Sequence, residues 1–141
     1  MGPALAVATA VTFVWLGMVL AISFLEAPLR FRAPEVSLRI GLGIGRLVFR
    51  ALNTIEAVLA LALVVAILLA SSPARIVIAT VVVVAVLAVQ LAVVRPRLTR
   101  RSDRILAGAD APRSPSHHAY LALETAKVGA LLATGVLLLG A

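Results

Sequence analysis

The sequence contains no cysteine, which excludes a disulfide framework, a thiolate metal site and thiol redox chemistry. Charged residues are also scarce, at 13% of the chain, whereas 62% of the residues are hydrophobic. Soluble domains are about half apolar and about a quarter charged. The composition therefore predicts an integral membrane protein, and the length of 141 residues is that of a single domain, residues 1–141.

Aromatic residues make up only 4% of the chain, and lysine occurs once, at position 127. The 13 basic residues outnumber the 6 acidic ones, a balance that can indicate nucleic-acid binding. Here the basic residues lie in predicted loops and helix ends, and no RNA- or DNA-binding motif is present. We therefore expect the lipid bilayer, and no nucleic acid, as a partner. The excess of arginine over lysine, with abundant alanine and valine, is typical of a GC-rich bacterial genome.

Four apolar runs are each about 20 residues long, which is enough to cross a bilayer as a helix. They predict an all-α, polytopic membrane protein whose fold is a bundle of four transmembrane helices. The predicted helices cover residues 4–25, 51–70, 76–94 and 118–140. The third is expected to end at Arg95-Pro96, because proline lacks an N–H group and its ring clashes with the preceding turn.

An amphipathic segment, residues 36–50, precedes the second helix. Its arginines recur at helical spacing with apolar residues between them, which predicts an entry helix. This helix either lies at the cytoplasmic interface or extends the second helix into the cytoplasm. Gly41 and Gly45, four residues apart, predict a bend or a close helix contact rather than a phosphate-binding loop, because no strand precedes them.

The distribution of arginine predicts the orientation in the membrane, because cytoplasmic loops carry an excess of basic residues. The segment between the first and second helices contains five arginines, and the segment between the third and fourth contains six. The turn between the second and third helices contains only Arg75, and both tails contain none. We therefore expect a protein of the bacterial inner membrane with both termini outside and both long loops in the cytoplasm.

Ionisable and amide side chains are concentrated in the cytoplasmic half of the predicted bundle, whereas the outer half offers only threonines. Ionisable groups inside a membrane are costly and typical of functional sites, so this cluster is the candidate ligand- or ion-binding site. Its members are Glu26, Arg50, Asn53, Glu56, Gln90, His117, His118, Tyr120, Glu124 and Lys127.

The fourth helix concentrates these groups on one face. His117, Tyr120, Glu124 and Lys127 follow one another at three- and four-residue spacing. Glu56 on the second helix lies at a depth comparable to that of Lys127. Two carboxylates therefore compete for the only lysine.

Several arrangements would balance the negative charge of the second carboxylate. Arg46 or Arg50 could reach in from the interface with an extended side chain. Otherwise one carboxylate is protonated, shares its proton through a histidine, or holds a cation. The alternative is an interhelical network that only fixes helix pairing.

A metal, haem or quinone site is the less favoured interpretation. Metal ligands would come from Glu56, Glu124 and His118, but the Glu-x-x-His pairs of di-iron bundles do not occur. Haem ligation by two histidines needs facing helices, and both histidines lie on one helix. A quinone site built from Tyr120, a histidine and an arginine stays open.

These observations leave three hypotheses for function. The leading one is a small membrane protein, acting as a homo-oligomer, that binds or transports a small ligand or cation through a cytoplasm-facing intramembrane site. An accessory subunit that docks a larger membrane partner is the second. A membrane oxidoreductase with a bound cofactor is the third, and no catalytic residue is identified for it.

The two halves of the chain also suggest an internal duplication. Each half crosses the membrane, passes through a loop rich in arginine and proline, and returns. An alignment of the second and fourth helices superposes Glu56 on Glu124. Two hairpins related by an axis along the membrane normal would place both glutamates near that axis.

The run "FLEAPLRFRAPEVSLRIGLGIGRLVFRALN", residues 24–53, resembles a pattern in small bacterial four-helix membrane proteins related to the eukaryotic transmembrane protein 205 family. The pattern places Phe-x-x-Ala-Pro-x-x-Phe at the end of helix one, then a glycine-containing entry to helix two. The first motif is matched by Phe24, Ala27, Pro28 and Phe31. The resemblance further implies a basic proline turn after helix three, as at Arg95-Pro96, and a histidine at the start of helix four, where His117 or His118 stands. Ala119 replaces the glycine that usually follows that histidine. The resemblance implies a four-helix integral membrane protein with no established chemistry.

Overall fold

The computed structural model describes residues 2–108 and 115–141, apart from the side chains of residues 102 and 115–117. Its described residues form four long helices and no strand. We number them α1 (Pro3–Arg30), α2 (Leu38–Leu69), α3 (Ala74–Leu106) and α4 (Pro115–Leu139). All four are long and apolar enough to cross a bilayer, as the composition predicts.

The predicted entry segment is the first part of α2. Ser37 caps this helix, and its side chain accepts a hydrogen bond of 3.2 Å from the backbone N–H of Ile40. The helix then runs without interruption for 32 residues, about 48 Å at the usual rise per residue. Of the two alternatives, the structure therefore shows an extension of α2 rather than a separate helix.

Two helix ends predicted from the sequence are wrong, because α1 continues past residue 25 and α3 continues through Arg95-Pro96 to Leu106. In both helices a π-helical stretch precedes the proline: Leu20–Glu26 before Pro28, and Gln90–Val94 before Pro96. A wider turn of this kind relieves the clash between a proline ring and the carbonyl four residues earlier. The helices therefore pass their prolines without breaking.

The hydrogen bonds at the ends of these stretches show the wider turn directly. The N–H of Ala27 donates to the carbonyl of Ile22, and the N–H of Arg95 donates to the carbonyl of Gln90. Each bond spans five residues instead of the four of an α-helix. Both donors belong to the residue immediately before a proline.

Several features of the chain recur 68 residues apart, as the predicted duplication would require. Glu124 follows Glu56 by 68 positions, and Pro96 follows Pro28 by the same 68. The π-helical stretches end at residues 26 and 94, which are also 68 apart. Burial repeats with this offset. The pairs in which both members are buried include Ala8 and Ile76, Thr12 and Thr80, Trp15 and Val83, Val19 and Leu87, Leu52 and Tyr120, Leu63 and Leu131, and Ala66 and Thr134.

Helix α1 packs against α2 and α4, and α3 packs mainly against α4. The extension of α3 closes the bundle against α2, where Arg46 forms an ion pair of 2.7 Å with Asp103 and Arg39 donates to the carbonyl of Leu106. The core between the helices is apolar over the half of the bundle away from the two arginine-rich segments. Its buried threonines donate to carbonyls of their own helices, so their hydroxyl hydrogens are already used; these are Thr12, Thr80 and Thr134.

The repeat predicts matched effects of core truncation. Leu63 and Leu131 occupy equivalent positions and are both fully buried. We expect Leu63→Ala and Leu131→Ala each to lower the free energy of unfolding by on the order of 2 kcal/mol, because a cavity forfeits packing contacts in lipid as in water. Leu68→Ala, at an exposed site, is the control and should change it by about 0.5 kcal/mol or less. Denaturant titration in mild detergent, followed by circular dichroism, measures the three effects; equal losses at all three positions would contradict this packing.

Candidate functional site

Lys127 is the centre of a buried ionic cluster. Its Nζ lies 2.5 Å from Oε2 of Glu56 and 2.6 Å from Oε1 of Glu124, and it donates a hydrogen bond of 2.9 Å to Oε1 of Gln90. An ammonium has three N–H donors, and here three oxygens surround it. The lysine and both glutamates are 0% exposed. We call Glu56, Gln90, Glu124 and Lys127 the charge cluster.

Helix α1 contributes two further hydrogen bonds to the charge cluster. The indole Nε1 of Trp15 donates to Oε2 of Glu56 at 2.8 Å, and the hydroxyl of Ser23 donates to Oε2 of Glu124 at 2.9 Å. Each carboxylate is thus oriented by α1 as well as by the lysine. All four helices therefore contribute a side chain to this one site.

Two of these side chains lie in the π-helical stretches. Ser23 lies in the stretch of α1, and Gln90 begins the stretch of α3. Such turns are frequent at functional sites. Both residues also continue the buried face of the regular helix before them, since Ser23 follows the buried Val19 by four residues and Gln90 follows the buried Leu87 by three.

The charge cluster contains one more carboxylate than ammonium, so its formal charge is −1 with all three groups ionised. Oε1 of Glu56 has no hydrogen-bond partner among the described residues. Tyr120, also buried, lies close enough to Glu124 to interact electrostatically, but its hydroxyl forms no well-aligned hydrogen bond with the described residues. Buried polar groups are normally paired, so this site retains both charge and hydrogen-bonding capacity.

The structure brings together five of the ten candidate residues: Glu56, Gln90, Tyr120, Glu124 and Lys127. The others lie outside the charge cluster. Glu26 pairs with Arg30 on its own helix. Asn53 is half-buried without a hydrogen bond to the described residues of the cluster, and Arg50 is exposed. The side chain of His117 lies outside the described part of the chain, and His118 is exposed.

Arg46 and Arg50, the two suggested counter-charges for Glu56, are therefore wrong. Arg46 pairs with Asp103 at the surface, and Arg50 points away from the bundle interior, so neither reaches the glutamate. The suggested metal set of Glu56, Glu124 and His118 is not brought together either. Within residues 2–108 and the described part of α4, no three metal-ligating side chains converge.

Sequence reasoning missed Trp15 and Ser23. Trp15 lies in a uniformly apolar run, where a tryptophan can be interpreted as facing the lipid as readily as facing the bundle interior. Its one distinguishing feature in the sequence is that it is the only tryptophan. The signal for Ser23 is a lone serine in an apolar run, eight residues after Trp15 and therefore on the same helix face.

A cavity of about 490 Å³ adjoins the charge cluster at the arginine-bearing end of the bundle. Ser23 and Tyr120 line it and also neighbour Glu124. The extension of α2 forms one wall, where a methyl group on Gly41 or Gly45 would collide with the Phe31 ring or the Arg30 guanidinium. The two glycines therefore make a close contact between α1 and α2, one of the roles that their spacing predicts.

No family model matches the chain, and no curated protein and no solved structure matches it. The resemblance to small proteins related to the transmembrane protein 205 family accordingly stays a prediction. The function has to be inferred from the geometry of the charge cluster and the cavity.

Removing the lysine tests the charge balance. We expect Lys127→Met to lower the free energy of unfolding by about 3–5 kcal/mol, because it leaves two buried carboxylates without a counter-charge. Neutralising both acids as well, in the triple variant with Glu56→Gln and Glu124→Gln, should recover most of this loss. Unfolding titrations in detergent compare the variants. A triple variant as unstable as Lys127→Met would show that the lysine acts through its shape rather than its charge.

Proposed function

We propose that this chain is a bacterial inner-membrane protein that binds a small cation, specifically a proton, at its buried charge cluster and exchanges it with the cytoplasm. The observation that carries the proposal is the fully buried pair of glutamates sharing a single ammonium. A buried net charge is costly in an apolar bundle. Uptake of one proton makes the cluster neutral.

A proton suits the cluster better than a metal cation does. Lys127 already occupies the space between the two carboxylates, so a metal ion would have to displace it. A proton needs no such space, because it binds directly to a carboxylate oxygen. Oε1 of Glu56 is such an oxygen, and it has no hydrogen-bond partner among the described residues. The hydrogen bonds from Trp15 and Ser23 hold the acids in place in either state.

The cavity provides the route for exchange. Ser23 and Tyr120 line the cavity and neighbour Glu124, so a single hydroxyl separates its interior from the charge cluster. On the opposite side of the cluster the described core is apolar, with threonine hydroxyls already bonded to their own helices. Proton exchange is therefore one-sided in a single chain. Transport across the membrane requires a rearrangement or an oligomer.

The proposal predicts a titration that Trp15 reports. Its indole donates to Glu56, and it is the only tryptophan, so its fluorescence should change when the charge cluster gains a proton. We expect one transition between about pH 4 and about pH 9, with an infrared carboxylic-acid band that is lost as the pH rises through it. Glu56→Gln and Glu124→Gln should each abolish the transition.

Glu35→Gln is the matched control for this titration, because Glu35 is exposed in the loop between α1 and α2. It should leave both signals unchanged. A folded wild-type protein whose fluorescence and infrared bands stay constant over the whole range would sink the proposal. The charge cluster would then be an interhelical network that fixes helix pairing, as an accessory subunit would use it.

The proposed orientation is tested with single-cysteine variants, since the chain has no cysteine of its own. Ala33→Cys reports on the loop between α1 and α2, Ala74→Cys on the turn between α2 and α3, and Gly140→Cys on the C-terminus; all three sites are exposed. In intact cells a membrane-impermeant maleimide should label the Ala74→Cys and Gly140→Cys variants. It should not label Ala33→Cys, because five arginines retain the first loop inside. The reverse pattern would place the cavity on the outer face.

A further inference from the structure

Arg95 is held at the cavity wall by two aromatic rings. Its guanidinium carbon lies 5.2 Å from the ring centre of Phe49 and 5.7 Å from that of Tyr120. The two rings meet edge to face at 89°, with 6.1 Å between their centres. These cation–π contacts fix the position of the guanidinium. Neither ring is a hydrogen-bonding oxygen, so these contacts do not occupy the N–H donors as a carboxylate would.

No carboxylate of the described residues lies within ion-pair distance of Arg95, and none accepts a hydrogen bond from it. Two other arginines of the cavity differ in this respect. Arg30 is engaged by Glu26 and by the carbonyl of Gly41, and Arg46 is engaged by Asp103. Arg95 is therefore a positioned cation that contacts aromatic rings but has no anion among the described residues.

The rest of the cavity wall selects the kind of anion. Four arginines line the cavity, and none of its described lining residues is acidic. Most of the remaining lining is apolar and comes from all four helices, including Phe31, Leu38, Leu42, Leu98 and Leu121. A volume of about 490 Å³ lies within the range of small-molecule sites. A free inorganic anion would leave this apolar surface unused.

We propose that the cavity is a binding site for an anionic amphiphile, a phosphate or similar head group on a single alkyl chain. The head group pairs with Arg95, whose planar guanidinium suits bidentate contact with phosphate or carboxylate oxygens. The chain lies along the leucine side chains of the wall. This inference goes beyond the proton site and does not depend on it, because it rests on Arg95 and the cavity lining alone.

Dodecyl phosphate is the probe for this site. Its binding to the purified protein in nonionic detergent is measured by native mass spectrometry and by equilibrium titration. We expect one bound molecule, binding at least tenfold weaker in Arg95→Gln, and unchanged binding in Arg75→Gln. Arg75 is an exposed arginine in the first turn of α3, remote from the cavity, and is the matched control.

Two further ligands separate the contribution of the charged head group to the affinity from that of the alkyl chain. Inorganic phosphate should bind far more weakly than dodecyl phosphate, and dodecanol, which lacks the charge, should bind weakly too. Inorganic phosphate binding as tightly as the probe would overturn the amphiphile, since the apolar wall would contribute nothing. Dodecanol binding as tightly would overturn the role of Arg95.

A second variant keeps the test decisive where Arg95→Gln fails to fold. Leu42→Trp narrows the cavity from the α2 wall and leaves every arginine in place. We expect it to remain helical by circular dichroism and to lose dodecyl phosphate binding by at least tenfold. A folded Leu42→Trp protein that binds the probe as the wild type does, or equal affinity in Arg95→Gln and Arg75→Gln, would overturn the site.

Discussion

The ammonium of Lys127 between two buried glutamates is the interaction on which the rest of this bundle depends. A charge in an apolar interior is tolerated only when its partners are placed with good geometry. Here one partner comes from α2 and the other from α4, while α1 and α3 supply Trp15 and Gln90. Helix faces in lipid pack without a strong hydrophobic preference for one register. The charge cluster therefore specifies how the four helices are aligned.

The offset of 68 residues relates the two glutamates of the charge cluster, and one difference between the related positions, the lysine at 127, sets the charge of the cluster. Glu56 and Glu124 are equivalent in the two hairpins, as are the two prolines and the wide turns before them. The position equivalent to Lys127 in the first hairpin is Leu59. A symmetric pair of hairpins would bring two carboxylates together with no cation between them. The lone lysine removes most of that repulsion but leaves one negative charge unbalanced.

Sequence reasoning recovered what depends on composition and helical spacing: four spans, the shared face of Tyr120, Glu124 and Lys127, and the meeting of that face with Glu56. It failed where the backbone departs from regular geometry. A proline after a span predicts a helix end, and only the hydrogen bonds of Ala27 and Arg95 show that a wider turn prevents it. The exposure of Arg50 and His118 depends on side-chain direction, which their depth along the helix does not determine.

The proposed anion site and proton site are close enough to influence each other through charge. Tyr120 contacts the guanidinium of Arg95 with its ring and lies beside Glu124, and Ser23 lines the cavity while bonding to Glu124. An anion paired with Arg95 would cancel a positive charge beside the charge cluster, in a region of low dielectric where such effects are large. Anion binding would then favour proton uptake, and by thermodynamic reciprocity proton uptake would strengthen anion binding by the same factor. Coupling of this sign would favour simultaneous binding of an anion and a proton, and it would arise from charge alone.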